Sequence, residues 1–209
     1  MSLEAYDWEA VVVGFWNRAI LTPAGIAQRL LGLKDATPIL VEVPLDGLAP
    51  YRVKYEKLTI VASAVRLSIE TDTPTFELLE RAKLTAVRAI EDLPQTPLTA
   101  AGFNIRVRIA DPPSSLVTAI AAPLDTSISD AGLIIETRTI ERSLKYEDGL
   151  LNLSVSHGTD FKVQFNFHRQ SSKKEDLVAW LRRPIDEVRE IVEKVCETVI
   201  QTPLGEVGK

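Results

Sequence analysis

One cysteine, Cys196, in 209 residues excludes an intramolecular disulfide framework. It falls on the apolar side of a helical pattern beside Val195 and Val199, with no histidine nearby in sequence to lower its pKa, so a buried and inert thiol is expected. Histidine is almost as scarce. His157 and His168 would share a metal with Asp160 only if one hairpin gathered all three, and His168 falls at the far end of its arm from the turn. None of the ten glycines forms a dinucleotide or phosphate loop after a strand, and no Gly-x-Ser-x-Gly elbow is present. A loop-tip imidazole at His157, next to Gly158, is poorly placed to activate a nucleophile. The carboxylate pairs Glu91-Asp92 and Glu147-Asp148 fall at a helix end and a turn tip, where solvation accounts for them. The sequence therefore predicts no metal, no cofactor and no catalytic residue. No apolar run approaches the roughly 20 residues needed to cross a bilayer, and the first residues lack a basic segment leading into an apolar one. A cytoplasmic protein without membrane contact is the expectation. A net charge of -5 argues against a surface given over wholly to nucleic acid, while leaving room for a local basic patch.

What is present is the composition of a globular domain, 45% apolar and 25% charged, long enough to bury a real core. Residues 65–98 organise it: a strand with one polar side, a turn at 72–74, an amphipathic helix over 76–93 and a stop at Gln95-Thr96-Pro97-Leu98. The order recurs with a strand at 161–167, a longer helix over 176–200 and a second stop, Gln201-Thr202-Pro203-Leu204. Both halves, 1–98 and 99–209, read β-α-β-β-β-α, which predicts an α+β fold by internal duplication. Antiparallel strands would carry their helices on one face, and the halves would merge into one compact domain.

In the first half, residues 7–16 read as a strand covered on both faces, and Thr22-Pro23 as a helix start leading to a left-handed cap at Gly32. Strands follow over 38–44, 58–62 and 65–71, with a turn at 45–48. The helix puts Phe76, Leu79, Ala82, Ala86, Ile90 and Leu93 on its apolar stripe and Glu77, Glu80, Arg81, Lys83 and Arg88 outside it. In the second half, 103–109 alternates cleanly and a short helix from Ser114 is limited by Pro123. A polar loop over 126–130 and a strand over 133–144 precede the firmest hairpin in the chain, 151–156 with 161–168. The last helix spaces Leu181, Ile185, Val188, Val192, Val195 and Val199 as an a/d seam, which Pro184 kinks or splits.

Antiparallel sheets commonly leave one side to water. The alternation assigns to that open side Arg66, Ser68, Glu70, Asn104, Arg106, Arg108, Asn152, Ser154, Ser156, Lys162, Gln164, Asn166 and His168. Of these, Arg66, Arg106, Arg108, Lys162, Gln164 and Asn166 are the candidate ligand contacts. Trp16, at a strand end, and Tyr51 are added as the wall of a pocket between the halves. Trp16 and Trp180 also suit the edge of a core.

Three pieces of the chain, Asn17 through Pro23 with Ile26, Ala27, Leu30 and Leu31, the run Thr96 through Asn104, and the closing helix after a phenylalanine-rich strand, resemble a sporadically distributed family of uncharacterised bacterial proteins. The resemblance implies a bacterial, cytoplasmic protein and assigns no site. The expected function is a non-enzymatic binding or assembly module, homodimeric through the C-terminal seam or a sheet edge, or joined to a protein partner. Single-stranded nucleic-acid binding is one alternative, prompted by Arg66, Arg106, Arg108, Arg138 and Lys162 but short of stacking aromatics. An enzyme with a small-molecule pocket near Trp16 and Tyr51 is the other.

Overall fold

Period-two alternation in the strands decides which side of each meets the helices. In a computed structural model that describes residues 3–34, 37–45 and 49–204, nine strands form one antiparallel sheet with helices packed on one face. The strands are β1 (Leu3–Gly14), β2 (Leu40–Glu42), β3 (Arg52–Tyr55), β4 (Leu58–Ala62), β5 (Arg66–Thr71), β6 (Leu98–Ile109), β7 (Arg138–Tyr146), β8 (Gly149–His157) and β9 (Phe161–Gln170). Their order across the sheet is β2-β3-β4-β5-β1-β6-β9-β8-β7. The two long strands β1 and β6 lie side by side at the centre. Outward from them, β1 meets β5, β4 and then β3, while β6 meets β9, β8 and then β7. The strand expected over 38–44 forms as the short outer β2, and β3 (Arg52–Tyr55) is the one strand more than the first half's sequence pattern predicts. The expected turn at 45–48 lies largely outside the described residues.

The helical face of the sheet carries Trp8, Ala10, Val12, Ile60, Leu67, Ile69, Phe103, Ile105, Val107, Val163, Phe165 and Phe167, all buried. Above them lie α1 (Pro23–Gly25), continued by a π-helical turn (Ile26–Leu30), α2 (Phe76–Asp92), α3 (Ser114–Ile120), α4 (Pro123–Asp130), α5 (Lys174–Leu181) and α6 (Ile185–Thr198). Helix α2 packs on β1 and β5, α5 on β6 and β9, and α3 on β7 and β8, while α6 rests on α2. The caps at Thr22 and Gly32 form as the sequence predicts, Thr22 Oγ1 accepting from Gly25 N at 3.1 Å and Gly32 at φ +66°, and the structure adds one at Thr75, whose Oγ1 accepts from Leu78 N at 3.2 Å. Gly102 is required where β6 meets β9, because a Cβ there would stand 2.3 Å from the Phe167 carbonyl oxygen.

Several expectations are corrected. Pro123 starts a helix, α4, across the 126–130 segment expected to be a loop, because proline at the first helical position costs no hydrogen bond. Strand β7 begins at Arg138, five residues later than expected. Strand β1 begins at Leu3 and is covered by helices on one side only. The apolar stripe of α2 is buried as expected, but so is Lys83, whose ammonium donates to Glu80 Oε2 and the Arg183 carbonyl, both at 2.6 Å. Burial pulls the Lys83 pKa down, against the holding effect of Glu80. Pro184 does split the last helix, into α5 and α6. Its seam turns inward at Leu181, Val188 and Val192, continues through Cys196 and Ile200, and leaves Val199 half exposed. Burial pushes the Cys196 thiol up to about 12, in keeping with an inert structural residue.

Candidate functional site

A bulge in β1 builds the centre of the open face. Glu4 and Tyr6 pair with Arg108 and Arg106 of β6, the register then slips, and Glu9 pairs with Asn104. Asp7, at φ +48°, is the extra residue. It lets Trp8 turn into the core, where its ring meets Phe76 edge-on at 4.9 Å and its Nε1 donates to the Arg106 carbonyl at 2.9 Å. The next side chain, Glu9, is thereby delivered to the polar side.

Glu9 is only 7% exposed, and its carboxylate accepts from Arg66 Nη2 at 2.8 Å, Arg106 Nη2 at 2.9 Å and Asn104 Nδ2 at 3.1 Å. Burial alone would raise its pKa, but the two guanidiniums outweigh it and hold the carboxyl below its ordinary value. From Asn104 a row of side-chain hydrogen bonds runs outward across the second half. Asn166 Nδ2 donates to Asn104 Oδ1 at 2.8 Å, Asn152 Nδ2 to Asn166 Oδ1 at 2.9 Å, and Ser143 Oγ to Asn152 Oδ1 at 2.8 Å. One continuous row thus crosses β7, β8, β9, β6 and β1.

Beside Glu9 lies a groove of about 510 Å3 lined by Asp7, Glu9, Arg52, Glu70, Thr71, Asp72 and Arg106. Its two guanidiniums are engaged within the protein, Arg106 by Glu9 and Arg52 by Glu70, while Asp72 Oδ1 accepts only from the neutral Thr59 Oγ1 at 2.9 Å. Farther out, Lys54 pairs with Glu42 at 2.7 Å, Arg108 with Asp160 at 3.5 Å and Glu4 at 3.8 Å, and Lys162 with Asp160 at 3.9 Å.

Of the candidate residues, Arg66, Arg106, Arg108, Lys162, Gln164 and Asn166 share this one face through the registers of β5, β1, β6 and β9. Trp16 and Tyr51 stand apart from them, both in the first half. Trp16 is buried with its Nε1 donating to the Val12 carbonyl at 3.2 Å, and the Tyr51 hydroxyl donates to the Leu21 carbonyl. A cleft between the halves does exist elsewhere: about 560 Å3 between α2 and α5, lined by Ile90, Glu91, Pro94, Lys174, Val178 and Arg182 among others. The segments carrying the family resemblance meet at a third groove, where Asn17 and Ile20 face Thr96 and Pro97 beside the exposed Phe15.

Two placements differ from the sequence reading. Arg138 lies on the helical face, paired with Asp125 at 2.5 Å. Tyr6 supplies the aromatic ring thought missing from the open face, and the Arg108 guanidinium sits 4.8 Å above it. Sequence reasoning also missed Glu9. The signal was there, a single carboxylate in the run Trp8-Glu9-Ala10-Val11-Val12-Val13, but the bulge that aims it is invisible to a period-two pattern.

Chemically the face is a lattice of fixed charge. The Glu9 oxygens are engaged by three donors, and a depressed pKa makes the carboxylate a weak base. Among the described residues no cluster of His, Cys, Asp and Glu has metal-binding geometry, and no helix is long and apolar enough to cross a membrane. Compared with protein-family models, with curated proteins and with solved structures, the chain matches none.

Proposed function

We propose that this chain is a non-enzymatic binding or assembly module of the bacterial cytoplasm, built from a duplicated β-α-β-β-β-α unit and acting as a homodimer. The observation that carries the reading is that the guanidiniums at the centre of the open face are paired with carboxylates of the same face. Arg66 and Arg106 are committed to Glu9, Arg52 to Glu70, and Arg108 and Lys162 to Asp160. A surface of this kind holds its side chains rigid and presents a pattern to a partner, whereas catalysis needs a group free to exchange a proton or attack. Duplication is supported by the common pairing order about β1 and β6. The two Gln-Thr-Pro-Leu segments add to it, since Thr96 and Leu98 are buried as Thr202 and Leu204 are. Sedimentation equilibrium from about 1 to about 100 µM tests the assembly, since mass action then moves any dimer through its transition. A species near twice 23.1 kDa at the upper end is expected, and 23.1 kDa throughout overturns the reading.

A second reading, single-stranded nucleic-acid binding, draws on Tyr6 beneath Arg108 with Lys162 nearby, a stacking ring among cations. It ranks below the first because those cations already have carboxylate partners. Fluorescence polarisation with labelled oligonucleotides at low salt checks it: salt-sensitive binding abolished by Tyr6→Ala would promote it, and flat titrations would remove it.

A further inference from the structure

The sheet has two very different margins. At one, β2 is three residues long and its Glu42 is tied to Arg52 and Lys54. At the other, β7 runs nine residues with the side chains from Thr139 to Lys145 exposed, apart from half-buried Ile140. A long free edge is a template for another strand. Glu141 and Lys145, both on the open face, form no ion pair among the described residues.

The backbone fixes which registers a partner strand can take. A two-residue connection, Glu147-Asp148, makes Tyr146 and Gly149 the closing hydrogen-bonded pair of the β7–β8 hairpin. Peptide groups alternate in direction along a strand, so residues 141, 143 and 145 aim their N–H and C=O outward. The Glu141 carbonyl agrees, accepting from its neighbour Arg142 Nη1 at 2.8 Å rather than from β8. A second β7 pairing antiparallel must set outward residues opposite outward residues. Centring the two-fold axis on Glu141, Arg142 or Lys145 puts that residue against its own like-charged copy, and centring it on Ile140 sets Arg138 against Arg142. Centring it on Leu144 brings Glu141 opposite Glu147. Centred on Ser143, each Glu141 faces the partner's Lys145, twice by symmetry. Leu144, 41% exposed, then lies along the partner's Arg142 stem.

Resting on the assembly reading above, we infer that a second copy of this chain docks on β7, antiparallel and centred on Ser143, so that two nine-stranded sheets join as one with paired Glu141–Lys145 contacts across the axis. Sedimentation equilibrium on the full chain tests it with Glu141→Lys, Lys145→Glu, the double exchange E141K/K145E, and Ser143→Pro. Each single reversal replaces two attractive cross-strand pairs by two repulsive ones, which raises the dimer Kd about tenfold, and the double exchange restores it to within about threefold. Proline at 143 removes an outward N–H that β8 does not use, so the dimer dissociates while the melting temperature of the dilute monomer stays within a few degrees. A dimer indifferent to all four changes overturns this interface and leaves assembly standing. A monomer at every concentration overturns both.

Discussion

A carboxylate set into an apolar strand is stable only when its neighbours replace the water it gives up, and Glu9 shows how narrow that condition is. Glu9→Ala leaves Arg66 and Arg106 facing each other without their counter-ion, and a loss of about 2–4 kcal/mol by denaturant titration is expected. Because its folded pKa lies below the ordinary carboxylate value, the stabilisation from ionised Glu9 is complete above that value and is lost as pH falls through the folded pKa. The wild type should therefore lose stability on acidification in a window that flattens in Glu9→Gln. Lys83 shifts stability with pH in the same direction, although here the charged form is the one that burial penalises. Its pKa is lowered by burial, so the unfolded chain binds its proton more readily, and the cost of holding the charge inside diminishes as pH rises from the folded pKa toward the ordinary lysine value. Lys83→Ala leaves the Arg183 carbonyl and Glu80 without their donor and should cost about 2–3 kcal/mol, read from chemical denaturation at neutral pH.

Among the elements, strands with strict alternation were legible in the sequence, because the open face and the core face are both written in every second residue of β5, β6, β8 and β9. The amphipathic stripe of α2 was equally plain. What escaped was written in single residues whose meaning depends on context. Pro123 has the pattern of a helix stop and serves as a helix start, and Asp7 slips the register of β1 without any glycine or proline to announce it. Lys83 looked like a solvent residue until α5 and α6 closed over it, a consequence of tertiary packing that no local pattern records. One glycine was informative only once strands were paired. Gly102→Ala pushes a Cβ toward the Phe167 carbonyl oxygen, backbone against backbone, so β6 and β9 must separate locally. Thermal unfolding should show a loss of about 3 kcal/mol or more, beyond what propensity alone would produce.

At the scale of the molecule, the β1–β6 pairing joins the halves and the helical side forms a single buried cluster. One cooperative transition is expected, with calorimetric and van't Hoff enthalpies in agreement, and two resolved transitions would show that the halves unfold independently. The row from Ser143 to Glu9 adds a property of its own. Every amide in it donates toward the carboxylate, and a carboxylate can only accept, so the row has a sense of direction fixed at one end. No member can turn over without its neighbours turning too. Four strands of side chains on the open face are thus oriented on one buried negative charge.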